Sequence, residues 1–333
     1  MTRYVTTTAV LTGLLCVTLT AVTGCDKAKA LARASVVDPD DAAGTSATAA
    51  EPIVVSANPH ILFEVFGERE DPRMVPVAVI DGKQLYNIQL PPEGWRQFDR
   101  LFHRAGTTYT LYQDGRAAGD VTVKQRMWAH PDAPLYSLPN CRNLVPLSSV
   151  ALDGKAPAGI TVEFLASNAP LSAAAPGVML PSNVVVKLAR KVGMMAATGA
   201  GVPASRLDSL DFRAVAINTG ATTEPTIVAS FIDPNAEEAA ARGDVTSGTF
   251  VIADKTGTEY APTFTHIVTG PASHAEYRRY VDHVDFDGDG IDEIVLEAWK
   301  YGGDSYLVVL KYSGGRWREV FRASPTWCLD PPR

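Results

Sequence analysis

Clusters of Lys and Arg are missing from this chain of 333 residues: its 30 basic residues stand singly or in doublets such as Arg278-Arg279, against 37 acidic ones. The formal net charge is −7 and the pI near 5.4. Without a basic patch to displace counterions, this balance argues against a nucleic-acid interface. The common signatures of catalysis are missing too. There is no G-x-S-x-G elbow, P-loop, S-x-x-K set or G-x-G-x-x-G behind a strand, and Gly199-Ala200-Gly201 lacks its third glycine. The six histidines, His60, His103, His130, His266, His274 and His283, never fall at the i, i+4 spacing of zinc ligands on a helix. A carboxylate pair assembled only in space leaves no such trace, so a hydrolase of that kind stays open. What the chain does have is 46 % hydrophobic residues, enough for a real core in one or two domains.

The N-terminus has the layout of a targeting segment. Arg3 is a minimal positive region, and Val5 to Val22 is uncharged and rich in Val, Leu, Ala and Thr. A membrane-spanning helix is the competing reading of such a stretch, but its threonines argue against a permanent span. The span also gives no role to the cysteine that follows. Val22-Thr23-Gly24-Cys25 resembles the lipobox of bacterial lipoproteins. That resemblance implies a signal peptide over residues 1–24, a lipid on the thiol of Cys25, and a globular part outside the cytoplasm of a bacterial cell. Two or three acyl chains, at about 0.8 kcal/mol per buried methylene, would hold the protein on a membrane durably.

Four cysteines are few, and two are accounted for: Cys16 leaves with the signal and Cys25 takes the lipid. Cys141 and Cys328 remain, and an oxidising envelope favours a disulfide between them. Two buried free thiols are the other reading.

Residues 25–52 are mostly Ala, Thr, Ser, Asp and Glu, too poor in large apolar groups for a core, and read as a flexible tether. Beyond it the patterning predicts an α+β fold, mainly antiparallel β, in two small domains. The first, residues 53–178, holds a hairpin at Val75–Ile80 and Gln84–Leu90 and another at Thr108–Tyr112 and Gly119–Gln125, joined by Asp-Gly turns. Between them Trp95, Phe98, Leu101 and Phe102 follow helical spacing, so a short amphipathic helix should pack on the sheet. The second, residues 179–333, opens with a helix capped by Ser182 or Asn183 and continues as one antiparallel meander. Its expected strands are Phe212–Asn218, Thr226–Ile232, Gly248–Ala253, Thr263–Val268, Ile294–Trp299, Tyr306–Tyr312 and Trp317–Phe321.

One stretch carries chemistry. Asp285-Phe286-Asp287-Gly288-Asp289-Gly290-Ile291-Asp292-Glu293 puts carboxylates at positions 1, 3, 5 and 9 around a glycine at position 6. Alternate residues of a tight loop turn their oxygens to one centre, and the carbonyl of position 7, Ile291, can complete the shell. Hard oxygen donors at this density suit calcium. An EF-hand needs Glu at position 12, where this chain has Leu296. The stretch resembles instead the calcium loops of the FG-GAP and VCBS families, in which such a loop leads straight into a strand. The resemblance implies that Asp285, Asp287, Asp289 and Glu293 are side-chain ligands of a structural calcium ion and Ile291 a carbonyl ligand. The chain shows one copy where those families have several, so their propeller is not expected.

The expectation is therefore a membrane-tethered bacterial envelope lipoprotein with a structural calcium site, which binds or scaffolds a protein or glycan partner. The alternative is an envelope hydrolase with a spatially assembled carboxylate site.

Overall fold

Along β1 (His60–Glu68) the apolar side chains point into two different cores, with Ile61, Phe63 and Val65 in one and Leu62 in the other. A strand buried on both faces cannot slip by one residue without exchanging those sets, so its register is fixed. In this computed structural model residues 59–127, 145–153, 160–172, 177–301 and 305–323 are described. Cys25, the tether, Cys141 and Cys328 lie outside the described residues, so the lipidation and disulfide expectations do too. The described residues belong to one compact unit, Ser46–Arg333. They are mainly β, and every pairing between their strands is antiparallel.

The first sheet contains β1, β2 (Arg73–Asp81), β3 (Gln84–Asn87), β4 (Thr108–Gln113), β5 (Arg116–Arg126), β6 (Ser148–Leu152) and β7 (Thr161–Ser167). Its order is β1-β7-β4-β5-β6-β2-β3, and β1 also pairs with β2, so six strands close into a barrel with β3 attached. Closure removes the sheet edges of those strands. The interior is filled by Ile61, Phe63, Val65, Met74, Tyr109, Leu111, Val121, Val123 and Val150. Helix α1 (Pro92–Phe102) adds Trp95 and Phe98 to that core. Leu101, expected on the packed face, is 57 % exposed, because Trp95, Phe98 and Phe102 alone make the inward stripe.

After α2 (Ser182–Gly199) and the short α3 (Ala204–Leu207), a second sheet is built from β8 (Asp211–Ile217), β9 (Thr226–Ile232), β10 (Val245–Thr256) and β11 (Glu259–Pro271). Helix α4 (Ala236–Arg242), which the sequence pattern does not announce, joins β9 to β10 and ends on Gly243 at φ +76°. Pro181, not Ser182 or Asn183, occupies the N-cap of α2, and no side chain caps the helix. The third sheet has β12 (Tyr277–Val284), β13 (Glu293–Trp299), β14 (Ser305–Ser313) and β15 (Arg316–Arg322), paired in that order. The expected single meander is thus two separate sheets. The chain leaves the second at Pro271, passes a 3₁₀ turn at Ala272–His274 and starts a new layer. Proline lacks the N–H that would continue a ladder.

These layers stack. Ile227, Ala229, Phe231 and Val251 face Val185, Ala189 and Val192 of α2, and a Cβ on Gly193 would meet the Phe231 ring at 2.4 Å. The opposite face of that sheet, with Val228, Phe250 and Ile252, packs on Ile294, Leu296, Val308 and Leu310 of the third sheet. The third sheet's other face, Val295, Leu307, Val309 and Phe321, packs on Leu62, Ala78, Ile80 and Leu165 of the barrel. The third sheet is therefore the middle layer. Its sequence Ile294-Val295-Leu296 is continuously apolar because both faces are buried. One core also joins Leu62, Ala78 and Leu165, before residue 178, to Val295, Leu307 and Val309, after it.

Candidate metal-binding loop and its surroundings

The acidic loop connects β12 to β13, two strands of the middle layer, and Phe286 anchors it in the core shared with the barrel. Asp285 is 2 % exposed and gathers the turn around itself. Its Oδ1 accepts N–H bonds from Gly288 (2.7 Å) and Asp289 (3.2 Å), and its Oδ2 accepts one from Gly290 (3.0 Å). Gly288 and Gly290 have φ of +70° and +86°, a region that costs other residues strain. Asp287 Oδ1 accepts from Asp289 N (3.2 Å), Asp289 Oδ1 from Ile291 N (2.9 Å), and Glu293 Oε2 from Phe286 N (2.9 Å). These bonds wind alternate carboxylates inward, and Asp285, Asp287 and Asp289 each offer an oxygen within 4.8 Å of the others.

The charge of this loop is partly compensated from within the chain. Lys311 on β14 donates from Nζ to Asp287 Oδ2 (2.6 Å), Asp289 Oδ2 (2.6 Å) and Glu293 Oε1 (2.9 Å). Pairing of Ile294 with Leu310 brings the next residues outward, Glu293 and Lys311, alongside each other. Burial opposes the charge on Lys311, but the bonds to Asp287, Asp289 and Glu293 outweigh it and push its pKa up. Burial also raises Glu293 to about 7 against the pull of Lys311 and the Phe286 amide. Burial would raise Asp289 as well, but Lys311 and the Ile291 amide hold it below the usual carboxylate range.

Three carboxylate oxygens of positions 3, 5 and 9 thus converge on one cationic nitrogen at 2.6 to 2.9 Å. Calcium takes six to eight oxygen ligands at about 2.3–2.6 Å, so these three oxygens supply part of such a shell at the place the ammonium holds. Asp285, Asp287, Asp289 and Glu293 are all brought to this point or beside it, and Ile291 closes the loop through its amide. Sequence reasoning misses Lys311, because its relation to the loop exists only through the β13–β14 pairing.

Beside the loop lies a second polar group. Asp282 Oδ1 accepts the N–H of His283 (2.8 Å) and that of Gly115 (3.2 Å) at the tip of the β4–β5 hairpin. The Tyr280 hydroxyl and His283 Nδ1 are hydrogen-bonded at 2.7 Å, and His283 Nε2 stands 3.7 Å from Asp292 Oδ2. Burial lowers His283 to about 4, leaving it neutral near pH 7. Asp282 is raised to about 6, chiefly by burial, with the His283 and Gly115 amides opposing. His283, Asp282 and Asp292 are all at most 5 % exposed, so this group joins the barrel to the middle sheet rather than facing solvent.

A cleft of about 520 Å³ lies elsewhere. Its lining includes Val202, Pro203, Ser205, Arg206, Val245 and Ser247, contains no Asp or Glu, and shares no residue with the acidic loop. Arg206 spans it, donating from Nε to Ser247 Oγ (3.0 Å) and from Nη2 to Asp233 Oδ2 (3.3 Å). Among the described residues no helix is long and apolar enough to cross a membrane. No family model, curated protein or solved structure matches the chain.

Proposed function

We propose that this protein is a bacterial envelope lipoprotein, held on a membrane through a lipid on Cys25, whose folded part binds a partner and is stiffened by a calcium ion in the loop Asp285–Glu293. The observation that carries the metal assignment is the convergence of Asp287, Asp289 and Glu293 oxygens on a single positive centre. Asp285, Asp287, Asp289 and Glu293 would hold the ion, with the Ile291 carbonyl completing the shell. Bound there, it would fix where β13 begins, and with it the register of the middle layer. A role in binding rather than hydrolysis is favoured by the placement of the acids. The cleft is lined by hydroxyls, apolar groups and Arg206, without a carboxylate. A protein or glycan partner suits such a surface. The disulfide Cys141–Cys328 belongs to the same proposal.

Localisation and metal dependence test the reading separately. Cys25→Ala is expected to move the protein from the membrane to the soluble envelope fraction or to stall its processing, because only the thiol can take the lipid. A variant that stays on membranes at the mature size after a carbonate wash overturns the lipoprotein assignment. For the metal, calcium at a hundredfold excess over its Kd adds about 2.7 kcal/mol to stability, which raises Tm by about 5 °C in a protein of this size. Magnesium should substitute poorly, since it demands stricter octahedral geometry. A melting temperature indifferent to calcium and to chelator overturns the site.

A further inference from the structure

Four charged side chains meet where the outer face of the barrel lies on the middle sheet. Arg279 of β12 donates from Nη1 and Nη2 to the two oxygens of Glu163 on β7 (2.6 and 2.7 Å). It also donates from Nε to Glu297 Oε2 on β13 (2.5 Å). Ser305, at the start of β14, donates to the other oxygen of Glu297 (2.5 Å). Glu64 of β1 completes the group. The β1–β7 register sets it opposite Leu165, so Glu163 lies two residues along on the same face. On the other flank β2 sets Val75 opposite it, and Arg73, two residues along on the same face, donates hydrogen bonds to Asp71. Glu64 is largely enclosed by its neighbours, although some of its surface reaches solvent.

One guanidinium cannot neutralise three carboxylates. With Glu163 and Glu297 ionised and Arg279 positive, the group carries one net negative charge while Glu64 is protonated and two when it is not. The second charge would join side chains that are 23 to 29 % exposed, where repulsion is only partly screened.

We propose that the junction between barrel and middle sheet is a proton-held latch, closed while Glu64 keeps its proton and loosened when the proton leaves. Burial first, then the charges of Glu163 and Glu297, push Glu64 up to about 8 against the opposing pull of Arg279, so the proton is present at neutral pH. The sign follows from linkage. An unfolded or opened chain releases this proton near 4.5 and the closed one near 8. Between those values the closed state binds more protons, so the stabilisation is full below 4.5, falls as pH rises, and is gone above about 8.

Amide hydrogen exchange on β1, β7 and β12 of the whole mature protein, corrected for intrinsic base catalysis, reads the latch directly. In the wild type, protection is expected to fall roughly a hundredfold between pH 6 and pH 9. Glu64→Gln keeps the neutral shape and should hold its protection across that range. Equal pH dependence in the two proteins overturns the proposal. Carbon-13 NMR titration of the Glu64 carboxyl in the wild type gives a second measurement that needs no variant. A midpoint near 8 agrees with the latch, and one near 4.5 ends it.

Discussion

Lys311 and Asp287, 24 residues apart in the chain, place an ammonium nitrogen 2.6 Å from a carboxylate oxygen. The same nitrogen reaches Asp289 and Glu293, so the loop carries its own counter-ion. A calcium ion entering the loop has to displace three charge-assisted hydrogen bonds, each stronger than a neutral one. Lys311 would therefore compete with the proposed metal as well as support the metal-free fold.

Replacement of Lys311 by Met separates those two roles. Without calcium the variant should be less stable than wild type by on the order of 2 kcal/mol, because Asp287 and Glu293 are left mostly buried without a cationic partner. With calcium the order should reverse in affinity: the variant binds about tenfold tighter or more, since no ammonium has to leave. Isothermal titration of both proteins checks this. Equal calcium affinity would show that Lys311 does not compete, and absence of binding in both would remove the calcium site itself.

The middle layer predicts a sharp contrast between two leucines. Leu296 has no exposed surface and lies in the core between the second and third sheets, whereas Leu101 on α1 is 57 % exposed. Leu296→Ala should cost about 2–5 kcal/mol of transfer and cavity energy. Leu101→Ala should stay within about 0.5 kcal/mol of wild type. Urea denaturation of both variants measures the difference, and similar midpoints would contradict the burial of the third sheet on both faces.

What is legible in the sequence and what is hidden divide along physical lines. Strand β9, Thr226–Ile232, is readable at its observed limits, and the β4–β5 hairpin announces itself through Asp114-Gly115, because in both cases the signal is local. Strand β12 is not readable in this way. Its Tyr277-Arg278-Arg279-Tyr280 start looks polar on both faces, and it is a strand because Arg278 meets Glu276 and Glu319 while Arg279 meets Glu163 and Glu297. Barrel closure is equally hidden, since the partners Phe63 and Ala166 lie about a hundred residues apart. The acidic loop is legible from spacing alone, but neither Lys311 nor the polar group around His283 is, since both depend on which strands become neighbours.

Gly115 offers the most specific test of how the barrel sits on the middle sheet. Asp114 and Gly115 both have positive φ, +52° and +74°, which closes the β4–β5 hairpin in the two-residue turn that suits strand twist. Its amide is spent on Asp282, and a Cβ at this position would lie 2.7 Å from His283 Nε2 and 2.8 Å from Asp292 Oδ2. Gly115→Ala therefore meets two costs: about 1–2 kcal/mol for an alanine at positive φ and a further ~1–3 kcal/mol for forcing His283 and Asp292 apart in a packed junction. Gly82, at the β2–β3 turn with φ +58° and open space where a methyl group would stand, isolates the first cost. Gly82→Ala should lose only the conformational part, so the difference between the two variants in urea measures the docking of the hairpin tip. If both lose the same stability, the tip does not press on His283, and the close approach of barrel and middle sheet at this point is wrong.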